Sequence, residues 1–204
     1  RSFHVTGVQT CALPIFEHVV TPNCLWRNTI TRLAVRNAPN TIVRVASRYS
    51  ACSAERLLFN IQAVREVNNN SVPGSIVEIG IYKGGSMLSM MRSAEDGQVR
   101  DFYLYDTYEG MTAPCEYDRD LNDYSASVLL EHIPSVKCIS TVDEVRTNIE
   151  SNTTVGREHI HYVVGDIMKT TTFPEKIAVL RLDTDFYEST AFELTHFYDR
   201  VSAG

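Results

Sequence analysis

The stretch Ser75-Ile-Val-Glu-Ile-Gly-Ile-Tyr-Lys-Gly-Gly-Ser86 decides the fold, because its pattern is that of a buried strand, a glycine turn and a helix. β-branched residues at Ile76, Val77 and Ile79 suit a strand that is covered on both faces. The glycines let the backbone turn sharply and approach a ligand. Backbone N–H groups at the start of the helix would face that turn, so we expect a ligand crevice at the carboxyl end of the strand.

The glycine turn does not match the common nucleotide-binding motifs. Gly80-Ile-Tyr-Lys-Gly84 lacks the G-x-G opening of the dinucleotide fingerprint, and the chain has no G-x-x-x-x-G-K-[ST] phosphate loop. An acidic residue inside the strand, Glu78, followed by spaced glycines resembles the first motif of S-adenosylmethionine-dependent methyltransferases. The alternative interpretation of this stretch alone is an ordinary strand–turn–helix unit of a parallel sheet.

Strands and helices alternate along the rest of the chain. Further strands are predicted at 102–105, 160–164 and 177–182, and helices after Ser53, from about Asp123 to His132, from Thr141 through Ile149 and up to Phe197. This alternation predicts an α/β fold with a doubly wound, mostly parallel, Rossmann-like sheet. Parallel strands with right-handed crossovers would place the strand ends along one edge, at Gly80, Asp106, Asp166 and Asp183.

Asp106 ends the second predicted strand, about 20 residues beyond the glycine turn, which is the expected spacing for a ribose-binding acid. The segment that begins at Thr107 forms a turn over the same crevice. Glu109 is a second candidate for the ribose contact, and a helix-capping role is the alternative for Asp106.

Asp183-Thr-Asp185 is the predicted chemical centre. One carboxylate at a strand's end can bind a hard divalent cation such as magnesium, which takes oxygen ligands. The other can accept a proton from a substrate hydroxyl. The alternative is that both aspartates cap the following helix, whose first turn favours acids.

The polar segment at 112–135 carries Asp118, Asp120 and Asp123. Their spacing does not match a calcium-binding loop. We interpret these three carboxylates as solvated and the segment as part of a mobile substrate loop.

The composition excludes several classes of protein. A chain of 204 residues with 44% hydrophobic and 22% charged residues can form one globular domain. The net charge of −6 disfavours nucleic-acid and anionic-membrane surfaces, and no apolar run reaches the roughly 20 residues that span a bilayer. Five scattered cysteines without a C-x-x-C pair indicate a reduced, cytoplasmic protein without a zinc site.

The first residues require separate treatment. The segment Val5-Thr-Gly-Val-Gln-Thr-Cys-Ala-Leu-Pro-Ile15 resembles a translated sequencing adapter, so we expect residues 1–15 to be an artefactual leader. Residues 16–49 mix apolar and basic residues and are expected to form a helical or lid-like segment. Residues 50–204 then form the predicted ligand-binding domain.

Three motifs together resemble the macrocin O-methyltransferase family of S-adenosylmethionine-dependent sugar O-methyltransferases, which have the class I methyltransferase fold. They are Val77-Glu-Ile-Gly-Ile-Tyr-Lys-Gly-Gly-Ser86, Asp106-Thr-Tyr-Glu-Gly-Met111 and Leu180-Arg-Leu-Asp-Thr-Asp-Phe-Tyr-Glu-Ser-Thr190. The resemblance covers roughly residues 45–204, and the third motif is the most specific.

The resemblance implies a role for each matching residue. Asp185 would be the general base, Asp183 a magnesium ligand, Asp106 the ribose contact, and Asp166 a neighbour of the adenine. The residues implied in cofactor binding are Glu78, Gly80, Gly84, Ser86, Asp106, Thr107 and Asp166. The implied partners are S-adenosylmethionine, magnesium and a glycan or other small-molecule acceptor, and a homo-oligomer is possible.

Two departures from the family pattern bear on these expectations. Thr184 stands where the family usually has glycine, which puts the shape of the loop in doubt. The family also continues with a strand that carries an aspartate pair completing the metal site, so we expect this chain to be truncated, to bind cofactor poorly and to turn over little or nothing. The alternatives are a non-catalytic ligand-binding remnant and a nicotinamide-dependent oxidoreductase, which would need a G-x-G-x-x-G turn.

Overall fold

The computed structural model describes residues 41–95, 97–120, 122–132 and 137–203. The predicted leader at 1–15 and most of the predicted 16–49 segment lie outside the described residues. The described end of that segment is helical, with α1 at Thr41–Ala46 and a 3₁₀ turn at Ser47–Tyr49.

The described strands form one parallel sheet with the spatial order β3-β2-β1-β4. They are β1 (Ser75–Ile79), β2 (Phe102–Asp106), β3 (Ile160–Val164) and β4 (Ile177–Leu182). The further helices are α2 (Ala54–Asn69), α3 (Gly85–Ala94), α4 (Ala126–His132), α5 (Val142–Glu150) and α6 (Tyr187–Phe197). Further 3₁₀ turns occur at Arg157–His159, Ile167–Lys169 and Tyr198–Arg200. The predicted doubly wound α/β fold is therefore confirmed.

Alternating side chains of the strands pack on the two faces of the sheet. Ile76 faces a core that includes Met91 of α3 and Ile149 of α5. Val77 points to the opposite face, in a core with Phe197 of α6. Both faces of the central strand are therefore buried, which accounts for its β-branched sequence.

The register of the sheet positions the site. Ile79 at the end of β1 lies opposite Tyr105 on β2 and Leu182 on β4. The residues that follow these three strands therefore emerge side by side at the carboxyl edge of the sheet, where the sequence placed its candidate ligands.

Two predicted helix starts have capping hydrogen bonds. The N-cap Ser53 Oγ accepts from Arg56 N at 3.4 Å, and the N-cap Thr141 Oγ1 accepts from Glu144 N at 3.2 Å. Each such cap is worth about 1 kcal/mol to a helix.

Helix α4 starts later than the sequence predicted, at Ala126 instead of about Asp123. Asp120 Oδ1 accepts from Asn122 N at 2.9 Å and from Tyr124 N at 2.8 Å. This side chain takes up backbone N–H groups in a turn, which competes with the helix.

In the residues that the structure describes, no helix has both the length and the apolar composition needed to cross a membrane. The described cysteines Cys115 and Cys138 are free thiols.

Candidate active site

A cleft of about 880 Å³, measured with the solvent at its open mouth, lies at the carboxyl ends of β1, β2 and β4. The predicted site residues that line it are Glu78, Gly80, Ser86, Asp106, Thr107, Asp183 and Asp185. The structure thus brings together all but two of the predicted residues.

The two predicted residues outside the lining of this cleft are Gly84 and Asp166. Gly84 caps α3 with a φ of +89°, and a side chain there would meet Ile149 of α5 at 3.1 Å. Asp166 caps the 3₁₀ turn that follows β3, where its Oδ1 accepts from Met168 N at 3.0 Å. Gly84 and Asp166, which the sequence predicted to bind the cofactor, thus cap a helix and a 3₁₀ turn in the structure.

Glu78 and Arg181 form a buried, hydrogen-bonded pair at the floor of the cleft. The register of β1 and β4 places these residues opposite each other, and Arg181 Nη1 donates to Glu78 Oε1 at 2.6 Å. The same Nη1 donates to Asp183 Oδ2 at 2.9 Å. Arg181 lies inside the third sequence motif, where no role was predicted for it, and only the pairing of the two strands reveals its contact with Glu78.

The carboxyl group of Glu78 is fully buried. Burial raises the pKa of Glu78 to about 8, against the opposing attraction of Arg181 and with a further rise from the nearby Asp183. Glu78 Oε2 is also buried and has no hydrogen-bond partner among the described residues. An unpaired buried oxygen of this kind is unfavourable, so it marks a point where a ligand would supply the missing partner.

The segment between α1 and α2 contributes Cys52 to the cleft. Arg181 Nη2 donates to Cys52 Sγ at 3.3 Å, and Cys52 Sγ lies 3.4 Å from Ser86 Oγ. Through Cys52, Ser86 in the first turn of α3 is thereby connected to the pair of Glu78 and Arg181. An isolated cysteine gave no indication of this role in the sequence.

The carboxylate of Asp106 holds the backbone of two loops. Its Oδ2 accepts from Ile81 N at 2.7 Å and from Tyr82 N at 3.1 Å, and its Oδ1 accepts from Tyr108 N at 2.8 Å. Asp106 therefore fixes the glycine turn after β1 against the turn after β2. Its neighbour Thr107 donates through Oγ1 to the carbonyl oxygen of Gly110 and so closes the second turn.

The loop after β4 has an unusual backbone. Asp185 has a φ of +69°, and Phe186 N donates to the carbonyl oxygen of Thr184 at 2.9 Å. This bond spans two residues, so Asp185 is the central residue of a γ-turn with positive φ, which is a rare and strained conformation. Strain of this kind is concentrated at functional sites.

The described residues meet the requirements of a magnesium ion only in part. Asp183 and Asp185 both line the cleft, but one oxygen of Asp183 already accepts from Arg181. In the described ranges no group of three or more acidic, histidine or cysteine side chains is arranged to hold a metal ion. Magnesium favours several oxygen ligands in octahedral geometry, so these two carboxylates do not form a complete site.

Asp118 is buried, which corrects its interpretation as a solvated carboxylate. Its Oδ2 accepts from Cys115 N at 2.7 Å, and its Oδ1 accepts from Tyr187 N at 2.8 Å at the start of α6. The side chain thus ties the polar loop at 112–125 to the residues that follow Asp185.

The family model and the curated relatives that this chain resembles are all O-methyltransferases. A family model described as Macrocin-O-methyltransferase (TylF) matches residues 32–204. The chain is 31% identical over 164 residues to demethyldecarbamoylnovobiocin O-methyltransferase of Streptomyces niveus, which covers 78% of this chain and 60% of that protein. It is 28% identical over 159 residues to mycinamicin III 3''-O-methyltransferase of Micromonospora griseorubida, covering 72% of this chain and 59% of that protein.

Solved structures show the same fold. The O-methyltransferase NovP superposes with a TM-score of 0.62 at 30% identity, over 76% of this chain and 64% of that one. Calicheamicin methyltransferase CalS11 superposes with a TM-score of 0.57 at 18% identity, over 89% of this chain and 75% of that one, which supports the fold alone. The chain spans about three fifths of the length of the curated relatives. From the family match and the shared fold, this chain belongs to the macrocin O-methyltransferase family.

Proposed function

We propose that this chain is part of an S-adenosylmethionine-dependent O-methyltransferase that acts on a hydroxyl of a sugar or of a glycosylated small molecule. The family match supports methyl transfer to oxygen. Support for a sugar acceptor comes from the mycinamicin relative, whose name specifies a 3''-O-methyltransferase, and from a rhamnosyl-tetracenomycin-C 4'-O-methyltransferase of Streptomyces olivaceus, 30% identical over 152 residues.

The observation that carries this proposal is that Glu78 and Asp185 line one cleft. The cofactor contains an ammonium group, and Glu78 Oε2 lacks a partner among the described residues. The positive charge of that ammonium group would favour the ionised form of Glu78, which would then accept a charge-assisted hydrogen bond from it. Its position on the central strand fixes this anchor deep in the cleft. Ser86 and Thr107 would line the rest of the cofactor's path.

Asp106 contributes to cofactor binding mainly by shaping the cleft. With its two oxygens it accepts from three backbone N–H groups, which holds the glycine turn at Ile81 and Tyr82 in place. A carboxylate oxygen can accept more than one hydrogen bond, so a ribose hydroxyl could still donate to Asp106. The ribose contact stays a prediction.

Asp185 would act as the general base. Methyl transfer to an alcohol requires that the hydroxyl loses its proton while its oxygen lies in line with the sulfonium methyl group. The γ-turn at Asp185 fixes the backbone of this residue at the cleft, so its carboxylate starts from a defined position. General-base catalysis of this kind contributes typically 10²–10⁴-fold.

The magnesium prediction stays a proposal, with Asp183 as the ligand that this chain would supply. A magnesium ion bound next to the acceptor would favour the ionised form of its hydroxyl. Because the described residues fit the ion only in part, we assign no step to it.

Titration calorimetry tests the proposed cofactor. The chain should release or absorb heat with S-adenosylmethionine and not with NAD. Heat with NAD alone would indicate a nicotinamide-dependent enzyme, and heat with neither would indicate a non-catalytic remnant; both outcomes contradict the proposal.

A variant at Glu78 makes the test specific to the ammonium contact. Glu78→Gln should weaken binding of S-adenosylmethionine about 10- to 100-fold, since a hydrogen bond to a charged group is worth about 1.5–3 kcal/mol. Methylthioadenosine lacks the amino-acid part, so both proteins should bind it equally. If Glu78→Gln weakened the binding of both ligands equally, Glu78 would not act through the ammonium group of the cofactor.

A further inference from the structure

Glu193 is a fully buried carboxyl group beside the Asp183-Thr184-Asp185 loop. It lies in the middle of α6 with no exposed surface. Thr184 Oγ1 donates to Glu193 Oε1 at 2.7 Å. The helix that follows the loop therefore reaches back to the residue between the two candidate functional aspartates.

Keeping this carboxyl group buried is unfavourable. Glu193 Oε2 has no hydrogen-bond partner among the described residues. Burial is the main reason that the pKa of Glu193 is raised to about 8; the hydrogen bond from Thr184 lowers the pKa, and the nearby Asp183 and Asp185 contribute to the rise. An apolar residue would fill the same volume without an unpaired polar atom, so the bond to Thr184 is the contribution that distinguishes glutamate here.

The loop that Glu193 contacts needs support. A non-glycine residue with positive φ is strained and persists only where its surroundings impose it. The backbone at Asp183 is held because its N–H donates to the carbonyl oxygen of Ile79 at 2.8 Å. The hydrogen bond from Thr184 to Glu193 gives the next residue a side-chain anchor, directly before the γ-turn at Asp185. A glycine at this position would have no side chain to anchor.

We propose that Glu193 is a positioning residue, which accepts a hydrogen bond from Thr184 and thereby fixes the carboxylate of Asp185 at the cleft. The inference rests on the proposed role of Asp185 as the general base. Glu193 acts through Thr184 and does not itself contact a substrate. The important property of Glu193 is its acceptor oxygen, which glutamine shares and leucine lacks.

The test measures the carboxyl resonance of Asp185 by NMR, in protein labelled on the aspartate side chains and assigned with Asp185→Asn. Glu193→Gln and Thr184→Ser keep the hydrogen bond and should leave the Asp185 resonance unchanged. Glu193→Leu and Thr184→Val remove the bond and should shift or broaden that resonance. Glu188→Gln, at an exposed position of the same helix, should change nothing.

The double variant Thr184→Val/Glu193→Leu should change the Asp185 resonance as much as either single variant does. All three variants lack the same hydrogen bond, the one between Thr184 and Glu193. An unchanged Asp185 resonance in Glu193→Leu would overturn the inference, as would a change in Glu193→Gln as large as in the leucine variant. Because Leu fills the buried space, loss of folding is not expected, and Thr184→Val provides an independent route to the same loss. Calorimetry with S-adenosylmethionine tests the proposed function separately, so failure of one does not imply failure of the other.

Discussion

Replacing Glu78 by glutamine should change how the stability of this protein depends on pH. The folded protein raises the pKa of Glu78 from 4.5 to about 8. Below pH 4.5 the carboxyl group holds its proton in both the folded and the unfolded chain, and the shift has no effect. Between about pH 4.5 and 8 the unfolded chain has lost the proton and the folded chain keeps it, so the free energy of unfolding falls as pH rises.

The magnitude follows from the size of this interval. One proton difference is worth about 1.4 kcal/mol per pH unit, so the full interval corresponds to about 5 kcal/mol as an upper limit. Glutamine has nearly the same shape and can still accept from Arg181, but it does not titrate. From pH 5 to 8 the free energy of unfolding of the wild type should therefore fall by about 1 kcal/mol per pH unit relative to that of Glu78→Gln.

Urea unfolding followed by circular dichroism at several pH values between 5 and 8 measures this difference. The buried Glu193 also titrates in this range, but it is present in both proteins and cancels. Glu175→Gln, at an exposed position, serves as the control and should remain parallel to the wild type. If wild type and Glu78→Gln were also parallel, Arg181 would be keeping Glu78 ionised throughout, and our account of the buried pair would be wrong.

Three further predictions concern the loops of the cleft. Gly80→Ala should lower the free energy of unfolding by about 1–3 kcal/mol, because φ is +86° and the new Cβ would lie 2.4 Å from the carbonyl oxygen of Asp183; an unchanged thermal midpoint would contradict this. Arg181→Met should lower the free energy of unfolding by about 1–3 kcal/mol, because it removes the hydrogen bonds to Glu78 and Asp183 and leaves Glu78 Oε1 buried without this donor; an unchanged urea-unfolding midpoint would argue against the pair. Asp118→Ala removes the acceptor for Tyr187 N, so limited proteolysis should cut the loop at 112–125 faster, whereas a wild-type cleavage rate would show that other contacts hold the loop.

The sheet and the position of the cleft followed from local sequence. Runs of β-branched residues marked the strands, and the glycine turn after Ile79 marked the carboxyl edge. Because parallel strands share that edge, Asp106, Asp183 and Asp185 could be assigned to one cleft before the structure was available. These features depend on residues close together in the chain or on rules that all parallel sheets obey.

The partners of the buried charges could not be predicted in this way. Arg181 pairs with a residue 103 positions away, and Asp118 with one 69 positions away, so no local pattern records either contact. Glu193 lies in an ordinary amphipathic helix, where a single acid is most often solvated. Asp118 shows the consequence, because three neighbouring aspartates resembled an exposed acidic loop until the tertiary structure buried one of them.

The cross-strand pair of Glu78 and Arg181 has a consequence for synthesis on the ribosome. The acid emerges with β1, long before its arginine emerges with β4. Closing a loop of this length costs about 4 kcal/mol in chain entropy, and until then the central strand carries an acid that lacks its counter-charge. A nascent chain should therefore complete the middle of its sheet only after β4 has left the exit tunnel and docked beside β1.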